Sequence, residues 1–187
     1  MIREERKELV KQAFSGRPRA ILLDCGDTLV DEATEIKDAS GASLSATLIP
    51  GAAELVRSLK SLGHVLGLVA DGPLATFRNN LGPPGLFELF DVHAISAELG
   101  HEKPSPEIFI HALDALGVPE TEYYRVMMVG NNLERDIKGA NRLGLTSIWL
   151  NWSPRRSKIP ADEFEVPDYT IALPLELLDL LDVADAG

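Results

Sequence analysis

Cysteine is almost absent from this sequence, because Cys25 is the only one in 187 residues. One thiol cannot form an intramolecular disulfide, so we expect a chain at home in a reducing compartment, with Cys25 as a small packed residue. Long apolar runs are absent too, and the first stretch, MIREERKELVKQAFSGRPRA, lacks the apolar core of a signal peptide. These absences predict a soluble, cytoplasmic protein with no membrane partner.

Basic residues are scarce relative to acidic ones. Lys and Arg number 18 against 29 Asp and Glu, which gives a net charge of −11. Because like charges repel at long range, this balance argues against a nucleic-acid partner. An anionic substrate would therefore need a local positive site.

The length fits one domain that can bury a sizeable core. We expect a single domain over residues 1–187, with residues 1–18 as an N-terminal helical segment and residues 19–182 as the core. The amphipathic stretch from Ile2 to Phe14 can pack on the core or mediate association. A homo-oligomer is therefore an open alternative.

Short apolar runs alternate with helical patterns, which predicts βαβ units around a parallel sheet. Apolar residues recur at intervals of three and four between the runs, and glycines follow three of the resulting helices where a C-terminal cap favours them. Runs that are apolar throughout predict a sheet covered on both faces. The predicted strands are AILLD (20–24), VLGLVA (65–70), VHAIS (92–96), RVMMVG (125–130), TSIWL (146–150) and DYTI (168–171).

Polar residues follow these strands, and ligands of such sheets bind beyond the carboxyl ends of the strands. Four motifs occupy these loops in chain order. The stretch LLDCGDTLV carries Asp24 and Thr28, and VADG ends the second strand. Lys103 lies in HEKPSPEIF, and Asp136 lies in GNNLERD. They include a candidate nucleophile, a cation and an acidic residue from separate loops.

In these four motifs, and in the flanking stretches LIPGAAELVRSLKSLG and MMVGNNLERDIKGANRLGL, the sequence resembles the haloacid dehalogenase (HAD) superfamily. Members of that superfamily are mostly aspartate-nucleophile phosphatases. The resemblance runs from about residue 19 to about residue 182. It implies an α/β fold with a three-layer Rossmann-like HAD core, a mainly parallel sheet and no substantial cap domain.

The resemblance also implies roles for individual residues. Asp24 would attack phosphorus and form an aspartyl-phosphate, and Lys103 would neutralise the charges that this step brings together. Thr28 would bind a phosphate oxygen or hold the loop. Mg²⁺ would be the cofactor, because it prefers oxygen ligands. Its ligands would be Asp24, the Gly26 carbonyl, Asn131 and Asp136.

The motifs depart from the family pattern at several positions. Family phosphatases usually carry a second Asp, the general acid and base, two residues after the nucleophile, where this chain has Gly26. Asp27 is one residue too late to replace it. Ala70 and Asp71 occupy the substrate-binding motif where Ser or Thr would bind phosphate. Asn131 replaces the first acid of the last motif, which predicts a weakened metal site.

Two of these features have alternative readings in the sequence. Asn131, with Glu134 three residues later, fits a helix N-cap with its capping-box partner, which would explain both residues without a metal. Arg155 and Arg156 follow the strand that ends at Leu150, and they either recruit an anion or remain exposed loop charges.

The segments between the motifs are short, and the first contains DEATEIKDASGASLSATL, enough for a flap only. This resembles the capless members of the superfamily, whose open sites accept large or protein-borne phosphorylated substrates. The first hypothesis is a Mg²⁺-dependent phosphatase or phosphotransferase. The second is a catalytically impaired binding or scaffold protein, which would explain the changed motif residues. The third is a metal-independent hydrolase of the dehalogenase type.

Overall fold

A computed structural model describes residues 16–185 and Glu8, so most of the predicted N-terminal segment lies outside the described residues. Six of its strands form one parallel sheet in the order β5-β4-β1-β6-β7-β8, and β2 and β3 pair as an antiparallel hairpin. No helix within the described part is long and apolar enough to span a membrane. The strands are β1 (Ala20–Leu23), β2 (Val30–Lys37), β3 (Ser43–Leu48), β4 (Leu66–Ala70), β5 (Val92–Ile95), β6 (Val126–Gly130), β7 (Thr146–Leu150) and β8 (Tyr169–Ile171).

The six-stranded sheet confirms the six strands predicted from sequence, and their ends differ from the prediction by one residue at most. Strand β1 lies inside the sheet between β4 and β6, so both of its faces are covered. Ile21 and Leu23 pack into one core and Leu22 into the other, which is the alternation of a strand. An uninterrupted apolar run is what such a position requires.

Helices cover both faces of the sheet and complete three layers. Helices α1, α2 and α6 pack on one face, and α4 and α5 pack on the other. Leu62 continues the spacing of the apolar residues Leu55, Val56 and Leu59, which predicts a buried helical position, but it follows the end of α1 and is exposed. The helices are α1 (Ala52–Ser61), α2 (Leu74–Leu81), α3 (Ser96–Leu99), α4 (Pro106–Ala115), α5 (Lys138–Leu143) and α6 (Glu176–Asp185), and a π turn (Leu133–Ile137) leads into α5.

The β2–β3 hairpin is the flap that the sequence predicts after the first motif. It packs against α2, where the Ser43 hydroxyl donates to the side chain of Asn80 at 3.1 Å. It is the only insertion between β1 and α1, and the segment from β4 to Lys103 contains core elements of the sheet and its helices. The described residues therefore contain no substantial cap domain, as expected.

Candidate active site

A cleft of about 220 Å³ lies at the carboxyl ends of the central strands. Strands β1, β4 and β6 are neighbours and run in parallel, so the residues that follow them meet at one edge of the sheet. Asp24, Asp71 and Asn131 come from these three ends, and Lys103 enters from the loop before α4. All four line the cleft, and they lie together at the edge of the sheet where the sequence predicted a ligand site.

Asp24 is the residue that follows β1, and it is almost fully buried because β1 is central. Its Oδ1 lies 2.6 Å from Nζ of Lys103. Its Oδ2 accepts a hydrogen bond of 3.1 Å from the Thr28 hydroxyl. Thr28 is itself buried and does not line the cleft, so in this structure it holds the Asp24 carboxylate.

The ammonium group of Lys103 lies between two carboxylates. Its Nζ is 2.7 Å from Oδ1 of Asp136 as well as 2.6 Å from Asp24, and it donates to the carbonyl oxygen of Val69 at 2.8 Å. Burial alone would lower the pKa of Lys103, but the carboxylates of Asp136, Asp24 and Asp71 outweigh it and raise that pKa. Lys103 therefore stays positively charged at neutral pH.

Asp136 lies in the π turn and is buried. Its Oδ2 accepts a hydrogen bond of 2.9 Å from the backbone N–H of Asn132. Burial and the nearby charge of Asp24 raise the pKa of Asp136 to about 7, although Lys103 opposes that shift. Gly130 makes room for this carboxylate, because a Cβ at residue 130 would lie 2.4 Å from Cγ of Asp136.

The cap of the following helix is Asn132, so the prediction of an N-cap at Asn131 was wrong by one residue. The Asn132 side-chain oxygen accepts hydrogen bonds from the N–H groups of Glu134 and Arg135 at 3.0 and 3.3 Å. Asn131 instead accepts a hydrogen bond from Trp149 Nε1 through its backbone oxygen. Its buried side-chain nitrogen has no hydrogen-bond partner within the described residues. A buried amide without a protein partner, on the cleft wall, is a group that a bound ligand would satisfy.

The second motif supplies structural contacts. Asp71 accepts a hydrogen bond of 3.0 Å from the backbone N–H of Lys103 through Oδ1, and Oδ2 accepts from Arg135 at 3.1 Å. Asp71 therefore fixes the Lys103 loop, and Arg135 offsets its charge. Ala70 packs in the apolar core and is not among the residues that line the cleft, because its side chain lies on the core face of β4.

Asp27 is fully buried and does not line the cleft. Its Oδ2 accepts hydrogen bonds from Nη2 and Nε of Arg155 at 2.6 and 3.1 Å, and its Oδ1 accepts from the Glu32 N–H at 3.1 Å. Arg155 and Arg156 also contact Oε2 of Glu32. Both arginines are partly exposed, as expected for loop charges. They are nevertheless held in place, Arg155 by Asp27 and Glu32 and Arg156 by Glu32.

Glu32 is one of the cleft residues that sequence analysis missed, and it is the one nearest to Gly26. It lies in β2, in a polar segment with no periodic pattern, and its partners Arg155 and Arg156 are more than a hundred residues away. In space Glu32 lies against Gly26, and because glycine has no side chain, the Glu32 carboxylate fills the space beside it. No pattern in the sequence pointed to this residue.

The charges that line the cleft are nearly balanced, with five carboxylates and four cations. The described residues contain no group of three or more His, Cys, Asp or Glu side chains that could hold a metal ion. A Mg²⁺ ion here would be held by Asp24 and Asp136, and amide, carbonyl or water oxygens would complete its ligands. The charged residues are Asp24, Glu32, Glu35, Asp71, Asp136, Lys37, Lys103, Arg135 and Arg156.

Known proteins resemble this chain over most of its length. A family model described as haloacid dehalogenase-like hydrolase matches residues 35–144. The chain is 36% identical over 133 residues to a glyceraldehyde 3-phosphate phosphatase of Methanopyrus kandleri, a match that covers 71% of this chain and 55% of that protein. It is 35% identical over 135 residues to a pyrimidine 5'-nucleotidase of Escherichia coli, with 72% and 57% covered.

A solved structure supports the fold independently. A HAD hydrolase of Bacillus subtilis aligns with a TM-score of 0.72 at 21% identity, over 89% of this chain and 100% of that chain. At this identity the likeness concerns the fold alone. The chain spans a little over half the length of the two curated phosphatases above.

Proposed function

Because the chain belongs to the haloacid dehalogenase-like hydrolase family, we propose that it is a phosphohydrolase that forms an aspartyl-phosphate on Asp24. The observation that supports this most directly is the 2.6 Å contact between Asp24 Oδ1 and Lys103 Nζ in the cleft. The phosphatase names of the two curated relatives agree with this reaction class. Transfer to an acceptor other than water would give a phosphotransferase through the same intermediate.

The first step needs a carboxylate to approach a phosphoryl group of the same charge sign. Lys103 offsets that repulsion, and it is held in place by Val69 and by the Asp71 contact to its backbone. Thr28 donates to Oδ2 of Asp24 and so fixes the plane of the carboxylate. These contacts orient the nucleophile before substrate enters.

The residues around Asp24 fit Mg²⁺. Asp24 and Asp136 are both within ion-pair distance of one Lys103 nitrogen, so their carboxylates lie close together, and the Asn131 amide is buried with an unpartnered nitrogen. With the amide turned, its oxygen would join Asp24, Asp136 and the Gly26 carbonyl as ligands. Bound Mg²⁺ would add positive charge to a cleft that has one excess carboxylate, and so favour a phosphate group.

The cleft volume bears on the substrate. About 220 Å³ is below the usual range of pockets that enclose a drug-sized ligand, so the cleft accommodates a phosphoryl group with a small organic part. A larger leaving group would extend past the β2–β3 hairpin. This supports a phosphorylated substrate that is either small or a larger, protein-borne group held partly outside the cleft.

The test is hydrolysis of acetyl phosphate and p-nitrophenyl phosphate, with and without Mg²⁺, by the wild-type chain and by Asp24→Asn. We expect turnover that needs Mg²⁺ and is lost in Asp24→Asn, because the amide cannot act as the nucleophile. Equal background rates for both proteins on both compounds would overturn the proposal. That result would favour the alternative, a binding or scaffold protein with this fold.

A further inference from the structure

The carboxylate of Glu32 occupies the space that a side chain at residue 26 would fill. An ideal Cβ on Gly26 would lie 1.9 Å from Oε1 of Glu32 and 2.7 Å from its Cδ. Gly26 is two residues from Asp24, and both line the cleft together with Glu32. A carboxyl group therefore stands beside the nucleophile loop, although it comes from the hairpin strand β2.

Glu32 is held there by a chain of contacts that begins at Asp27. The buried Asp27 carboxylate binds Arg155 by two hydrogen bonds, and Arg155 with Arg156 binds Oε2 of Glu32. Asp27 also accepts from the backbone N–H of Glu32, which fixes the strand itself. These contacts leave Oε1 over Gly26, and within the described residues it accepts no hydrogen bond.

The other carboxylates of the cleft are committed to other contacts. Asp71 uses one oxygen for the Lys103 backbone and the other for Arg135. Asp136 contacts Lys103 through one oxygen and the Asn132 N–H through the other. Glu35 lies farther along β2 and pairs with Lys37. Glu32 is thus the cleft carboxylate with an oxygen available beside Gly26, two residues from Asp24.

We propose that Glu32 is a catalytic residue, the general base for hydrolysis of the aspartyl-phosphate, and that Asp27 and Arg155 are its positioning residues. The inference rests on the proposed function. A water oxygen bonds to phosphorus while the bond from phosphorus to the Asp24 oxygen breaks, and that electron pair returns to the Asp24 carboxylate. One water proton passes to Glu32 Oε1, inorganic phosphate leaves, and Glu32 then releases the proton to solvent.

This role separates the two chemical steps. Formation of the aspartyl-phosphate from p-nitrophenyl phosphate needs no acid, because p-nitrophenolate is a good leaving group. Hydrolysis of the intermediate needs a base to activate water. Glu32→Gln should therefore retain one rapid burst of p-nitrophenolate per chain, while steady-state kcat falls about 100-fold.

The matched control for this variant is Glu88→Gln, which makes the same substitution at an exposed residue away from the cleft. It should keep the wild-type kcat. Urea unfolding of Glu32→Gln checks that the fold survives. An unchanged kcat in Glu32→Gln, in a protein whose turnover still needs Asp24, overturns the Glu32 assignment and leaves the phosphohydrolase proposal standing.

Moving the carboxylate from residue 32 to residue 26 gives a second test. If Glu32 had only a structural role, the moved carboxylate would not restore turnover. Gly26 does not have a positive φ, so its backbone accepts a side chain, but Gly26→Asp alone meets the Glu32 carboxylate. Glu32→Ala removes both the obstacle and the base. We expect the double variant Gly26→Asp/Glu32→Ala to turn over at least tenfold faster than either single variant.

The two tests separate the possible failures. A double variant no faster than Glu32→Ala contradicts the assignment of a general base to this space. Absence of any Asp24-dependent turnover in the wild-type chain overturns the phosphohydrolase proposal, and the Glu32 assignment with it. A burst that disappears in Glu32→Gln places Glu32 in the first step and also refutes the role proposed.

Discussion

Asp24 and Asp136 share a single cation, because Nζ of Lys103 lies 2.6 Å from an oxygen of the first and 2.7 Å from an oxygen of the second. All three side chains are buried. One ammonium group offsets one of the two negative charges, and burial together with the remaining charge of Asp24 raises the pKa of Asp136. Lys103 therefore holds the Asp24 carboxylate in place, and the excess negative charge of Asp24 and Asp136 favours binding of a further cation.

Replacement of Lys103 by Met should destabilise the protein as well as abolish turnover. The substitution leaves two buried carboxylates without a cation, and loss of one partner of a buried ion pair costs about 3 to 5 kcal/mol. The free energy of unfolding, measured by urea titration, checks this. The double variant Lys103→Met/Asp136→Asn should recover part of the loss, and a double variant less stable than Lys103→Met would contradict the shared-cation interpretation.

Gly130 should resist substitution because the Asp136 carboxyl group fills the space over it. A Cβ at residue 130 would lie 2.4 Å from Cγ of Asp136. We expect Gly130→Ala to lower the free energy of unfolding by about 1 to 3 kcal/mol, the usual cost of overpacking, and to displace Asp136. The matched control is Gly16→Ala, where no atom of the described residues lies within 4 Å of the new Cβ. Equal stability of the two variants would contradict the argument.

The sheet and the meeting of the motif loops could be predicted because their physical causes are local. A strand buried on both faces must be apolar along its length, so each strand is visible as a run such as AILL or VMMVG. Parallel strands bring their carboxyl ends to one edge of the sheet, so the sequence alone predicts that the loops of Asp24, Lys103 and Asp136 lie together.

The contacts that complete the cleft could not be predicted, because they join residues that are distant in sequence. Asp27 does not line the cleft, and its link to Arg155 depends on where the loop after β7 turns. Glu32 reaches Gly26 only because β2 folds back over the loop. The cap at Asn132 differs from the predicted one by a single residue, because Asn131 and Asn132 are the same residue type and cap a helix equally well.

Cys25 should be unreactive in the folded protein, although it adjoins the nucleophile. Its side chain is buried, and burial together with the charge of Asp24 raises the pKa of its thiol well above the ordinary value. The reagent DTNB should therefore label less than a tenth of the native chains in the time that labels one thiol per chain in urea. Rapid labelling of the native protein would show that the loop around Asp24 opens.

Addition of a carboxylate at residue 131 should strengthen Mg²⁺ binding. Asn131 lines the cleft with a buried, unpartnered amide, and Asn131→Asp would add a charged oxygen ligand beside Asp24 and Asp136. We expect a Kd for Mg²⁺ about tenfold lower by isothermal titration calorimetry, which corresponds to about 1.4 kcal/mol. The neighbouring variant Asn132→Asp is the control, because that side chain caps the helix and Asp caps equally well. A tighter Kd in both variants would reduce the effect to net charge, and an unchanged Kd in Asn131→Asp would remove residue 131 from the ligand set.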